Sequence, residues 1–197
     1  MQVTQTAFTS SKMPKHDSHG HVNGHLVVVD NPINRFSVVA PLPDGCGSVQ
    51  FVNKTAHMHS PRCILATDAG YYSLHEEDTF ACIGNVVGDG VVQNTEPFNT
   101  TNVNFGVLKN GSWVIGYISP EQVKSGMFQQ LVQGLGWIVR NGKSYVDEGW
   151  EEAYTAAGSS GDEYKAMTSG RTAVGWTAEG PSSGTTGTPT TRRGVPP

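Results

Sequence analysis

Two Asn-Gly pairs constrain this chain more than any other feature. Asn110-Gly111 lies between the apolar-rich arms of "VNFGVLKNGSWVIGYI", and Asn141-Gly142 lies between those of "GWIVRNGKSYV". Asn-Gly accepts the positive φ angles of a type I′ turn, whose twist matches that of two paired strands. Both segments therefore read as β-hairpins, and antiparallel pairing follows. Other β-branched runs end at turn residues in the same way. "HLVVVDNP" stops at Asp30-Asn31-Pro32, "RFSVVAPLPDG" at Pro41 and "CILATDAGYY" at a glycine turn. "GNVVGDGVVQN" carries two short strands around Gly88-Asp89-Gly90, and "RTAVGW" adds a further strand.

Between the hairpins a helix is expected. Ser119 suits its N-cap, Pro120 its first turn, and Gln122 completes a Ser-x-x-Gln capping box. Phe128, Leu131, Val132 and Leu135 follow at helical spacing, with Gly126 separating the two pieces. Residues 148–168 read as an excursion with a loop at Gly158–Gly161. The sum is an α+β chain, mostly antiparallel β-sheet with β-hairpins and one or two helices. Twenty-four glycines and only 15% charged residues fit strands and turns better than a helical bundle. At 197 residues the chain suffices for one domain or most of a larger one. Residues 1–24 are polar and aperiodic and read as a disordered segment.

A net charge of −4 and a pI near 5.9 leave no electrostatic footprint for nucleic acid. The apolar run Leu26-Val27-Val28-Val29 is far too short for a membrane helix. The N-terminus shows no apolar core behind basic residues, so no signal peptide is visible. Three sequons nevertheless point to a secretory history with the true start upstream: Asn53-Lys-Thr, Asn99-Thr-Thr and Asn110-Gly-Ser. Cys46, Cys63 and Cys82 form an odd set. Secretion would pair two and leave one over, whereas a reducing compartment would keep three thiols.

Several polar clusters carry less than their composition suggests. His16, His19, His21 and His25 lie in a segment that reads as disordered rather than as a ligand-presenting helix, and His57 and His59 fare no better. No CxxC occurs, so no metal site is read and no cofactor is expected. Glu76, Glu77 and Asp78 read as a solvated acidic loop. Asp68 is more informative: a carboxylate at a strand end beside Gly70 suits a catalytic or sugar-binding group. Tyr71 and Tyr72 would then supply a stacking face; a plain turn with aromatic packing explains the same residues. Arg171 offers the planar donor fork that matches phosphate oxygens, or a surface ion pair.

Taken together and in order, six stretches resemble the phosphodiester glycosidase family. They are "HLVVVDNPINRFSVVAPLPDGC", "CILATDAGYYS", "CIGNVVGDG", "NFGVLKNGSWVIGYIS", "FQQLVQGLGWIVRNG" and "GRTAVGW", spanning about His25 to Gly180. The resemblance implies removal of a GlcNAc cap from a phosphodiester on mannose, exposing mannose 6-phosphate. The implied partners are phosphorylated N-glycans of lysosomal hydrolases, met in the Golgi. It puts Asp68 and Arg171 in catalytic positions and Gly70, Asn85 and Thr172 in the substrate pocket. Asp68 departs from the family, which has Asn there, and sets a charge where an amide donor is expected. The resemblance also implies a Cys46–Cys82 disulfide, and a partner for Cys63 that this chain lacks.

In the family the "RTA" strand turns and returns through an apolar strand, a helix and a strand ending in Asp-Gly-Gly-Gly-Ser. Here residues 181–197, "PSSGTTGTPTTRRGVPP", contain a single aliphatic side chain, Val195. They read as a low-complexity, disordered tail. Residues 25–180 then form the N-terminal part of a glycosidase domain, an incomplete domain with an uncovered sheet edge prone to aggregation. Two readings compete with a working hydrolase: a non-catalytic glycan-binding module, and a non-functional fragment.

Overall fold

The computed structural model describes residues 3–10, 22–29, 34–60, 62–74, 80–95, 102–156 and 170–176. They fall into two units. The first holds 3–10, 22–29, 34–35, 170–171 and 176; the second holds the described residues between 36 and 156 together with 172–175. In the first unit, β1 (Val3–Ser10) pairs antiparallel with β2 (Val22–Val29), Val3 facing Val29 and Ala7 facing His25. The segment 1–24 expected to be disordered is thus corrected at 3–10 and 22–24. Thr4, Thr6 and Thr9 are polar yet β-branched, and favour a strand without supplying apolar alternation.

The second unit is built on a five-stranded antiparallel sheet. In chain order its strands are β5 (Val86–Gly88), β6 (Val91–Asn94), β7 (Asn104–Leu108), β8 (Trp113–Gly116) and β9 (Phe128–Gln133). The spatial order is β6-β5-β9-β7-β8. Around it lie α1 (Val52–His59), the hairpin of β3 (Tyr71–Leu74) with β4 (Phe80–Ile83), and α2 (Pro120–Lys124). The hairpin of β10 (Val139–Arg140) with β11 (Lys143–Ser144) then leads into α3 (Val146–Ala156). Ser119 caps α2, and the reciprocal bond from the Ser119 amide to Gln122 completes the capping box.

The register sorts the sheet into two faces. Val87, Leu131, Gly106 and Val114 are cross-strand neighbours on one face, where Ile118, Val123 and Phe128 complete the core. On the other, Phe105 meets Phe36 and Trp113 with ring centroids 5.6 and 5.4 Å away. The Cys46–Cys82 disulfide ties the 3-10 turn Gly45–Gly47 to β4. Cys63 is exposed, and its thiol donates to the Leu65 carbonyl at 3.1 Å.

Several sequence expectations are overturned here. The stripe Phe128–Leu135, read as helical, contains the central strand β9. Covered on both faces, it need not alternate apolar with polar. Gln130 and Gln133 are buried because their amides are used: the Gln130 carbonyl accepts from the amides of Val38 (2.8 Å) and Asp89 (3.3 Å), and its amine donates to Asp89 Oδ1 (2.6 Å). Residues 35–40 therefore run over the sheet bonded through a side chain rather than as a strand. Residues 63–69 form no strand either; pairing begins beyond the Gly70 turn. Residues 171–176, expected to be a strand, join no ladder among the described residues.

The Asn141-Gly142 turn is of the expected type, with φ of 52° and 72°. Asn110-Gly111 is not: Leu108 bonds to both Gly111 and Ser112, only Gly111 has positive φ, and Asn110 Oδ1 accepts from the Ser112 amide at 2.9 Å. The helix α1 was not foreseen, since no side chain caps its N-terminus and its apolar pattern is weak. Nor was α3, although Asp147 and Glu148 in its first turn complement the helix dipole.

Candidate functional site

One end of the five-stranded sheet is lined with amides. One row beyond Val87, Leu131, Gly106 and Val114, the same face continues as Asn85, Gln133, Asn104 and Gly116. Asn85, Asn104 and Gln133 are almost fully buried. They bond to one another along the row. Asn85 Nδ2 donates to Asn104 Oδ1 at 3.0 Å, the Asn85 amide to Gln133 Oε1 at 3.2 Å, and the Gln133 amide to the Asn85 carbonyl at 2.9 Å. Asn104 Nδ2 reaches the carbonyls of Asn102 (3.1 Å) and Gly116 (3.5 Å). On the β6 side, Asn94 Nδ2 donates to the carbonyls of Cys82 and Gly84. The amides are uncharged, so the row is a buried polar network with no counter-ion requirement.

The predicted site loop reaches this same end of β9. A Cβ placed on Gly70 would sit 3.4 Å from Val132 Cγ2 and 3.5 Å from the Gln133 carbonyl, and φ is +73° there. The positive φ, rather than the space, is what favours glycine here. Two residues earlier, Asp68 Oδ1 accepts from the hydroxyls of Thr172 (2.8 Å) and Thr67 (3.0 Å), which lie 3.1 Å apart. The structure thus brings together Asp68 and Thr172, 104 residues apart in the chain, and sets Gly70 against the Gln133 that bonds Asn85. Arg171 belongs to the first unit, where its Nη1 donates to the Gly170 carbonyl at 3.1 Å. The side chains of Tyr71 and Tyr72 lie outside the described residues, as do Asn99, Glu76, Glu77, Asp78, His16, His19 and His21. Asn53 is exposed on α1 and Asn110 in its turn.

Beyond Gly116 stands a second cluster. Glu152 of α3 accepts from the phenol hydroxyls of Tyr117 and, at 2.5 Å, of Tyr145. Arg140 Nη1 lies 3.3 Å from the Tyr145 hydroxyl and 3.8 Å from Glu152 Oε1, with its guanidinium over the Trp137 and Tyr145 rings. Burial, then the bond and charge of Glu152, push Tyr117 up to about 12. The bonds from Tyr117 and then Tyr145 hold Glu152 below the usual carboxylate range. The signs differ. Tyr117 stabilises the fold fully below its ordinary value near 10, and this is lost as pH rises from about 10 to about 12. Glu152 stabilises above the ordinary carboxylate value, and this is lost as pH falls through its lowered one. In a tyrosinate absorbance titration Tyr117 should therefore ionise late, and Glu152→Gln should draw it back toward 10. An unchanged late step in Glu152→Gln would refute the coupling.

Sequence reasoning singled out Asn85, Asp68, Gly70 and Thr172 but missed Asn104, Gln133, Tyr117 and Glu152. The available signal was an amide interrupting an apolar strand run, at "NVNFG" and "LVQG". Among the described residues no group of three or more His, Cys, Asp or Glu converges as a metal site, and no helix is long and apolar enough to cross a membrane.

No family model matches the chain. Curated relatives do, all N-acetylglucosamine-1-phosphodiester alpha-N-acetylglucosaminidases. The Bos taurus protein is 32% identical over 164 residues, covering 81% of this chain and 30% of the relative. The Mus musculus protein is 33% identical and the Homo sapiens protein 30%, each over 81% of this chain and 31% of the relative. The chain thus spans about a third of the length of these relatives. Among solved structures, the zebrafish enzyme's catalytic domain, auto-inhibited by its pro-peptide, superposes with a TM-score of 0.59 at 29% identity. That match covers 76% of this chain and 48% of the other. By sequence and by fold, the chain is similar over most of its length to part of the N-acetylglucosamine-1-phosphodiester alpha-N-acetylglucosaminidases.

Proposed function

We propose that this chain carries the substrate-holding part of a hydrolase that removes GlcNAc from GlcNAc-1-phospho-6-mannose. The observation that carries the reading is the contact of Thr172 with Asp68, which joins two stretches 104 residues apart that the sequence reading puts in one site. The bond to be broken joins the anomeric carbon to a phosphate oxygen. A phosphate monoester leaves readily, so little acid assistance is needed. What remains is to hold the sugar, stabilise oxocarbenium-like charge and bind the phosphate. In this reading Thr67 and Thr172 fix Asp68 through Oδ1, while Oδ2 faces the positive charge developing on the sugar. Asn85 and Gly70 line the sugar side, and Arg171 takes the phosphate. The substrates are then phosphorylated N-glycans of lysosomal hydrolases in the secretory pathway, where Asn53, Asn99 and Asn110 would carry glycans.

One feature favours a second reading, a glycan-binding module without turnover: Asp68 places a carboxylate where the family carries an amide. A single assay separates the two. GlcNAc release from GlcNAc-phospho-methylmannoside is measured for the chain and for Arg171→Ala. Turnover that falls at least a hundredfold in kcat/KM on losing Arg171 supports the hydrolase. Binding of the diester with no release supports the module and removes the hydrolase.

A further inference from the structure

Asn-Gly occurs three times in this chain, at Asn23-Gly24, Asn110-Gly111 and Asn141-Gly142. The dipeptide has a reaction of its own. The glycine amide nitrogen, on losing its proton, attacks the asparagine Cγ. An N–Cγ bond forms, the Cγ–Nδ2 bond breaks and ammonia leaves with the proton. Water then opens the succinimide at either carbonyl, giving aspartate or isoaspartate. Nothing is oxidised or reduced, and water is the sole co-reactant. Glycine, lacking a Cβ, leaves its nitrogen open to this chemistry. The attack still needs a glycine amide without another partner and an asparagine side chain able to swing onto it.

The fold treats the three pairs differently. Asn23 and Gly24 lie within the β1–β2 ladder, where Asn23 Oδ1 accepts from the Thr9 hydroxyl at 2.8 Å and the Phe8 ring lies over Gly24. At the β7–β8 turn the Gly111 amide donates to the Leu108 carbonyl at 2.9 Å, and Asn110 Oδ1 accepts from the Ser112 amide at 2.9 Å. Nucleophile and electrophile are both held there. At the β10–β11 turn neither is. Among the described residues the Gly142 amide donates to no group, and the Asn141 side chain bonds to none. Both residues are exposed, and a Cβ at Gly142 would meet nothing within 4 Å. The hairpin has only two residue pairs, Val139 with Ser144 and Arg140 with Lys143, so its tip opens at small cost.

We propose that Asn141 is a self-modification site: in the folded chain it converts to aspartate and isoaspartate ahead of Asn110 and Asn23. The product sets a new carboxylate beside Arg140, whose guanidinium bonds Tyr145 and lies 3.8 Å from Glu152. The hairpin that leads into α3 thus gains a negative charge as the protein ages. The site uses neither Asp68 nor Arg171 and stands independently of the hydrolase reading.

The test ages the full chain, made without glycans so that Asn110 stays unmodified, at body temperature in buffer and, in parallel, in unfolding guanidinium chloride. Peptide mass spectrometry follows each asparagine, and isoaspartyl methyltransferase labels the isoaspartate. In the folded chain Asn141 should convert at least about tenfold faster than Asn110, the weight of the two hydrogen bonds that Asn110 and Gly111 must give up. In guanidinium the three sites should converge to within about threefold, because those bonds are gone. Asn141→Gln, whose longer side chain closes its ring far more slowly, should remove most of the label from the folded chain. Asn110 or Asn23 converting as fast as Asn141 in the folded chain would overturn the proposal. So would an Asn141 that stays intact in the folded chain while the unfolded chain converts, since the turn itself would then protect it. The same preference for Asn141 in guanidinium would overturn it too, by assigning the difference to local sequence instead of the fold.

Discussion

Replacing Gly106 by alanine is expected to cost about 3 kcal/mol and to lower the melting temperature by about 5–10 °C. Gly106 lies in β7 directly opposite Leu131 of β9, at the centre of the sheet. A Cβ there would stand 2.3 Å from the Gln130 carbonyl oxygen, 2.8 Å from Leu131 Cδ1 and 3.0 Å from Leu131 Cα. Two of these are backbone atoms, so no rotamer change relieves the clash. The strands must part, and Leu131, fully buried in the core with Val87, Val123 and Phe128, must move with them. Gly175→Ala is the control. A Cβ at Gly175 meets nothing within 4 Å, and its backbone lies outside the left-handed region, so its melting should stay close to the parent's. Equal melting of Gly106→Ala and the parent would show that β7 and β9 are not packed as described.

What was legible in the sequence was what local chemistry decides. Ser119, Pro120 and Gln122 announce α2 because a capping box is satisfied within one turn of chain. Asn141-Gly142 announces its hairpin because two successive positive φ angles select those residues. What was illegible depends on distant partners. Phe128, Leu131, Val132 and Leu135 fit a helical period, yet Gln130 and Gln133 between them are buried. Their amides answer Val38, Asp89 and Asn85, residues 41 to 92 positions away or, for Asn85, 48. The same holds for the site. Asp68 and Gly70 stand out as a strand-end carboxylate at a glycine turn. Asn104 and Gln133 acquire meaning only when pairing lines them up with Asn85. The β-branched run 171–176 fails as a strand for a related reason: side chains, Thr172 to Asp68, hold it instead of a backbone ladder.

The amide row should itself behave as one connected unit, and Asn85 is where that is tested. Asn85→Leu removes the donor to Asn104 Oδ1 and places an apolar group where the Asn104 carbonyl remains buried. The orphaned acceptor and the misfit side chain should together cost about 2–4 kcal/mol in urea unfolding. Asn104→Leu should cost a similar amount, since it strands Asn85 Nδ2. The double variant should cost less than the sum, by about 0.5–3 kcal/mol, because removing both partners leaves no unmade bond between them. Sugar binding separates stability from function. If the row is the floor of the sugar site, the double variant recovers part of the stability yet binds GlcNAc no better than either single variant. Strict additivity in unfolding would show that Asn85 and Asn104 do not share the bond.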